Sequence, residues 1–238
     1  MNDSETGSFT GPIEETEWPE RLRAHVVEPG PRPRVHGYDV QGDLARHYGF
    51  AEVALLALTG ELPSEEAARA FDVALVFAAP ISVAEAPAHA GVLAKLCGAT
   101  AQGVIGTGAV ALAEQAGFML EEHGEILEWL AARRADPTLE APRSALSTDE
   151  EERAAVEGLA AALEGSGVGF LRDREDLGLV PAILLILDLC GLDTPEKLAT
   201  AILVSRLPCV VAEACHVRAG LFQLYPMDLP PFRYEEDR

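Results

Sequence analysis

At 238 residues the chain is long enough to bury a substantial core, as one large helical domain or a domain with a small lobe. Hydrophobic residues make up 48% and aromatic residues 6%; Ala, Leu and Val dominate, β-branched clusters are scarce, and the expected class is all-α. The 39 acidic against 18 basic residues leave a formal net charge of −21, which argues against nucleic acid or an anionic membrane surface as partner and requires any anionic ligand to meet a local cluster of Arg or helix N-termini.

The N-terminus is acidic and polar without an apolar signal region, so residues 1–18 read as a disordered acidic leader and the protein as cytoplasmic. Residues 28–34 (EPGPRPR) form a proline-rich extended link. Residues 50–60 (FAEVALLALTG) predict a short apolar helix stopped by Gly60. Ser64 caps the next helix, whose stripe of Phe71, Ala74, Leu75 and Ala78 has core-facing spacing. Ser82 and Glu85 bound a capping box that opens a helix running to about Cys97. A small-residue helix follows from about Thr100 to Gly117; residues 99–113 carry no charge, which predicts burial on most of its surface.

A further helix spans 118–134, and 136–147 is a loop with two prolines. A second capping box at 148–151 opens a helix with a stripe of Val156, Leu159, Ala160 and Leu163. Residues 165–169 (GSGVG) are a break, followed by a charged run at 172–176. Residues 179–190 predict an apolar helix with Pro181 in its first turn. Thr194 starts another that ends near Arg206, and a last helix is expected from about Pro208 to Leu221. The most apolar stretches, 99–113 and 179–187, are too short or too glycine-rich to span a bilayer. Cys97, Cys190, Cys209 and Cys215 form no C-x-x-C pair and read as buried, reduced thiols.

Gly106-Thr107-Gly108-Ala109-Val110-Ala111 fits the G-x-G-x-x-A form of a dinucleotide-binding turn, but that chemistry needs a strand before the first glycine. The preceding residues look helical, so close approach of two helices is the better account. No pair of the six histidines has metal-ligand spacing with a Cys or carboxylate, so no metal site is expected. His89, inside the helix after Ser82, reads as a partly buried histidine or as a general acid or base. Arg206 reads as a complement to a helix C-terminus or as a carboxylate clamp.

Two segments resemble the citrate synthase and citryl-CoA lyase family. The first comprises His36-Gly37-Tyr38-Asp39-Val40, Asp43-Leu44, Phe50-Ala51-Glu52-Val53-Ala54-Leu55-Leu56 and Leu58-Thr59-Gly60-Glu61-Leu62-Pro63. It is similar to the family's R-G-Y-x-[IVL], D-L and F-x-E-V-x-x-L-L…G-E-L-P blocks, with His36 in the place of Arg. The second, residues 201–213, is similar to the family's A-R-x-x-G-W-I-A-H helix, with Arg206 in the place of the arginine that holds substrate carboxylates. Cys209, Val210 and Glu213 stand in the places of the Gly-Trp pair and His.

The resemblance implies a citrate synthase-like multi-helical fold with a reduced small domain. The implied order is the leader at 1–18, a large helical domain over 19–118 and 176–238, and the small domain or insertion at 119–175. It further implies a homodimer, with residues 86–116 supplying much of the interface, or pairing with a paralogue. The implied chemistry is Claisen condensation, or its reversal, on a CoA thioester with a 2-oxo acid such as oxaloacetate. The implied ligands are a small carboxylate or acyl-CoA, with CoA as part of the substrate and no bound cofactor.

The family's catalytic groups are replaced in this register. Its H-G-G-A segment corresponds to Gly106-Thr107-Gly108-Ala109, its G-x-G-H segment to Gly167-Val168-Gly169-Phe170, and its N-V-D segment to Leu179-Val180 or nearby. His89 and Asp176 remain as candidate catalytic groups, with Arg206, Arg172 and Arg174 as candidate substrate ligands. The two arginines at 172 and 174 read equally as salt-bridge partners of Asp173, Glu175 and Asp176. A rearranged enzyme and a non-catalytic binding or interaction module both fit the sequence.

Overall fold

The computed structural model describes residues 23–164 and 176–218, which fall into two units divided between Gly49 and Phe50. The proposed leader, the 165–169 break, the arginines at 172 and 174, and the end of the chain lie outside the described residues.

In the first unit the proline-rich link is part of a small antiparallel sheet. Its strands β1 (Val27–Glu28), β2 (Arg34–Val35) and β3 (Tyr38–Asp39) lie in the order β1-β2-β3, with Val35 opposite Tyr38. Two residues join β2 to β3, and both have positive φ, 47° at His36 and 88° at Gly37. That is the backbone a two-residue hairpin demands. The His36 N–H donates to Val26 O at 2.8 Å, which ties the turn to the strand before it. Asp39 then caps a π-helical turn, Val40–Leu44, that runs into the short α1 (Ala45–His47). Its carboxylate accepts the N–H groups of Gly42 at 2.6 Å and Gln41 at 2.9 Å. The Gly42 bond foremost holds the Asp39 carboxyl below the usual carboxylate range.

The second unit is helical. α2 (Phe50–Thr59) ends where expected: Gly60 has φ 84° and its N–H closes on Leu56 O at 2.8 Å. Ser64 caps α3 (Glu65–Ala78) through a bond from Ala67 N–H, and Phe71, Ala74 and Ala78 are buried along it. α4 spans Ala86–Leu96, α5 Ala101–Glu122, α6 Gly124–Arg133, α7 Glu150–Ala162, α8 Leu179–Leu189 and α9 Pro195–Cys215.

Four expectations about these helices change. The helix from Thr100 does not stop at Gly117 but continues to Glu122, with His123 as the break. The helix after the second capping box is capped by Asp149, whose carboxylate accepts from Glu151 and Glu152 N–H, one position later than Thr148 implied. α9 continues through Pro208 rather than restarting there. Pro208 is exposed and has no N–H for the Val204 carbonyl. Burial of Ala201 and Ile202 before it and Val210 and Ala214 after it holds the helix together. Finally, α5 is not mostly buried. Val104, Gly108, Leu112, Ala116 and Leu120 make one buried stripe, while Ile105, Val110 and Phe118 are exposed.

Among the described residues two apolar clusters result. The larger joins Leu55, Phe71, Leu120, Trp129, Leu159, Leu184 and Ile202 from six of these helices and α2. α6 and α7, which lie within residues 119–175, contribute Ile126, Leu130 and Val156 to this same cluster. The smaller consists of Ala88, Leu112 and Val210, where α4, α5 and α9 pack on one another. The G-T-G-A segment belongs to that packing: a Cβ on Gly108 would lie 2.7 Å from Val210 Cγ1. By length and composition alone α5 and α9 are apolar enough to cross a bilayer; here they pack together through this contact. Cys190 is largely buried, but Cys97 and Cys215, expected inside, are exposed at the ends of α4 and α9.

Candidate functional site

Arg206 lies mid-way along α9 rather than at a helix end, so the helix-terminus account of it does not hold. Its side chain is 20% exposed and reaches back across three other helices. Nε donates to Ala78 O, the last residue of α3, at 2.9 Å. Nη1 donates to Gln115 Oε1 on α5 at 3.4 Å and lies 3.8 Å from Glu85 Oε2 at the start of α4. Gln115 Nε2 in turn donates to the same Glu85 oxygen at 2.9 Å.

Glu85 is itself held by the local chain. Its Oε1 accepts the Ser82 N–H at 2.9 Å, one half of the expected capping box. The other half is altered, since Ser82 Oγ accepts from Ala84 N–H and the helix begins at Ala86, after a Glu85 N-cap. Four elements therefore meet at one guanidinium, which has a carbonyl, an amide and a carboxylate beside it. Among the described residues Nη2 has no partner, and it is not among the fully buried unsatisfied nitrogens. A guanidinium edge open in this way suits an incoming carboxylate.

The other candidates sit apart. His89 lies one turn after Glu85 on α4 and is exposed, not partly buried. Asp176 is exposed, and its carbonyl accepts the Ser147 N–H at 2.8 Å beside the bridge of Leu146 with Leu177. Among the described residues no hydrogen bond or ion pair joins His89, Asp176 and Arg206. Gly106, where the resemblance places an imidazole, is exposed, and a Cβ there would meet nothing within 4 Å. Leu179 starts α8, where its N–H donates to Glu152 Oε1 at 2.9 Å. A carboxylate does stand at that helix start, but it arrives from α7.

Sequence reasoning missed Gln115 and Glu152, and saw Glu85 only as a cap; Gln115 carried no local signal at all. Two cavities lined by described residues lie elsewhere. One of about 410 Å³ is almost wholly apolar, lined by Gly117, Leu120, Leu127, Pro195 and Ala199 among others. Another of about 270 Å³ lies beside the Arg134–Asp188 ion pair. None of His89, Asp176 and Arg206 lines either. Among the described residues no cluster of His, Cys, Asp and Glu is arranged to hold a metal ion.

No family profile and no curated protein sequence matches the chain. Solved structures do. A citryl-CoA lyase from Hydrogenobacter thermophilus is similar with a TM-score of 0.60 at 17% identity, over 91% of this chain and 97% of that one. The ATP citrate lyase of Methanothrix soehngenii, in complex with citrate and coenzyme A, is similar with a TM-score of 0.55 at 14% identity. A D541A mutant of Methanosaeta concilii ATP citrate lyase, in complex with (3S)-citryl-CoA, is similar with a TM-score of 0.55 at 13% identity. The match covers 94% of this chain but 44% of each of those two. The described helices, with their small leading sheet, thus have the citrate synthase/citryl-CoA lyase-like fold.

Proposed function

We propose that this protein binds a small carboxylate or acyl-CoA at Arg206 as a non-catalytic member of the citryl-CoA lyase-like proteins. The observation that carries the reading is the guanidinium at the meeting of α3, α4, α5 and α9 with one edge unpartnered among the described residues. Binding without turnover is supported by what stands around it. Carbon–carbon cleavage of a citryl thioester needs a base and a donor aimed at the developing enolate. Gly106 and Leu179 offer neither, and among the described residues no hydrogen bond or ion pair joins His89 or Asp176 to Arg206. The alternative, a rearranged enzyme carrying out Claisen condensation or cleavage, rests on the fold likeness to citryl-CoA lyase.

A second copy of the chain, or a paralogue, is the partner that the outer face of α5 supports. Val110 and Phe118 are 65% and 61% exposed there, on a helix free of charge over residues 101–113. The cytoplasmic location and the division at residues 119–175 are retained as part of this proposal.

Calorimetric titration with citrate, oxaloacetate and acetyl-CoA, paired with a citryl-CoA cleavage and synthesis assay, tests the reading on wild type and Arg206→Ala. Citrate binding that Arg206→Ala abolishes, without turnover, is expected. Turnover by the wild type would establish a rearranged catalytic site instead, and absence of binding to all three would overturn the assignment of Arg206.

A further inference from the structure

Resting on the carboxylate-binding reading of Arg206, we infer that Glu85 is an internal competitor at that guanidinium and sets the site against multiply charged carboxylates. Arg206 recruits a carboxylate from within its own chain. Glu85 Oε2 lies 3.8 Å from Nη1, an ion-pair distance without a direct hydrogen bond. It is held there by two neutral donors, Ser82 N–H on Oε1 and Gln115 Nε2 on Oε2, each at 2.9 Å. The position of this negative charge is therefore fixed by the capping turn of α4 and by α5, and does not depend on Arg206.

The remaining geometry limits how a ligand can approach. A carboxylate grips a guanidinium either along the Nε edge or end-on across both terminal nitrogens. The Nε edge is committed to Ala78 O. End-on capture uses Nη2 together with Nη1, and Nη1 faces Gln115 and Glu85. A bound carboxylate then shares one positive charge with Glu85. Repulsion between the two anions weakens binding, and it grows with each further negative charge on the ligand. Among the described residues no other Arg or Lys bonds to this group to offset the second and third charges of a citrate.

Glu85→Gln removes the charge and keeps one acceptor, for Ser82 N–H, at the cost of the oxygen to which Gln115 Nε2 donates. Gln115→Glu does the reverse, placing a second carboxylate against Arg206. Wild type and both variants are titrated with citrate and with acetate, after circular dichroism melts confirm folding. Glu85 is 37% exposed, so solvent screens the effect; Glu85→Gln is expected to tighten citrate by about threefold to tenfold and acetate by less, and Gln115→Glu to weaken citrate. Citrate binding that appears only in Glu85→Gln would also support the competitor. If wild type binds citrate and Glu85→Gln binds it no tighter, or tightens acetate equally, the competitor is refuted while Arg206 keeps its role. If neither binds citrate, the competitor falls, and the assignment of Arg206 falls with it only where oxaloacetate and acetyl-CoA are not bound either.

Discussion

Gly108 offers a sharp test of the packing that places Arg206 on α9. A Cβ built on it lies 2.7 Å from Val210 Cγ1, and the same methyl is 3.4 Å from the Cβ position of Gly91 on α4. Val210 is fully buried and, as a β-branched residue in a helix, is confined essentially to one rotamer, so its methyl has nowhere to turn. Overpacking of this kind costs roughly 1–3 kcal/mol, against which Ala recovers about 0.5–1 kcal/mol of helix propensity over Gly. Gly108→Ala is thus expected to destabilise by roughly 0–2.5 kcal/mol, lowering the Tm by up to about 10 °C for a protein of this size. Gly106, two residues earlier on the same helix, has nothing within 4 Å of its Cβ position. Gly106→Ala keeps the propensity gain alone, about 0.5–1 kcal/mol of stabilisation. Urea unfolding followed by circular dichroism gives both values, and Gly108→Ala in a Val210→Ala background should lose most of its penalty. A Gly108→Ala protein as stable as Gly106→Ala would refute the close approach of α5 and α9.

Further outcomes follow from particular contacts. Arg134 donates through Nε to Asp188 at 3.0 Å and through Nη2 to Asp193 O at 3.0 Å; Asp188 is only 6% exposed against 43% for Arg134. Arg134→Ala should cost about 1–3 kcal/mol in urea unfolding, because a buried carboxylate loses its partner on one solvated side, and Asp188→Asn should cost less. The Asp193 carboxyl is held below the usual range by the Lys197 ammonium, which donates to it at 2.6 Å. A depressed carboxyl contributes stability above its unfolded value of about 3.9 and loses it as pH falls through the lower folded value; Asp193→Asn should therefore show a smaller fall in Tm between pH 5 and pH 3 than wild type (a window of about two units below neutrality's plateau). Burial pushes the Cys190 thiol up to about 12, with Sγ donating to Ala67 O at 3.5 Å. Mass spectrometry after iodoacetamide treatment of the folded protein should find Cys97 and Cys215 modified and Cys190 intact.

The sequence was most informative where one turn of chain decides the outcome. Gly60 stops α2 because only a residue tolerant of positive φ closes that turn, and Ser64 caps α3 through its own third neighbour. The motif blocks at 36–63 and 201–213 pointed to the fold that the solved structures share. The small sheet was missed because its strands are two residues each, too short to show alternation. The burial of α5 was overestimated because absence of charge marks an apolar surface without saying what covers it.

What residues 36–63 and the caps determined by themselves was the kind of protein: helical, acidic, with helix ends set by local hydrogen bonds. Tertiary structure alone decided that Pro208 sits inside a helix and what Arg206 touches. Packing on both sides of Pro208 outweighs one missing hydrogen bond, a balance no local pattern reports. Arg206 finds Gln115 and Ala78, 91 and 128 positions away, and a long side chain's partners depend on which helices the core brings beside it. Its own sequence neighbours name the cation; the packing of α3, α4 and α5 supplies its partners within the chain.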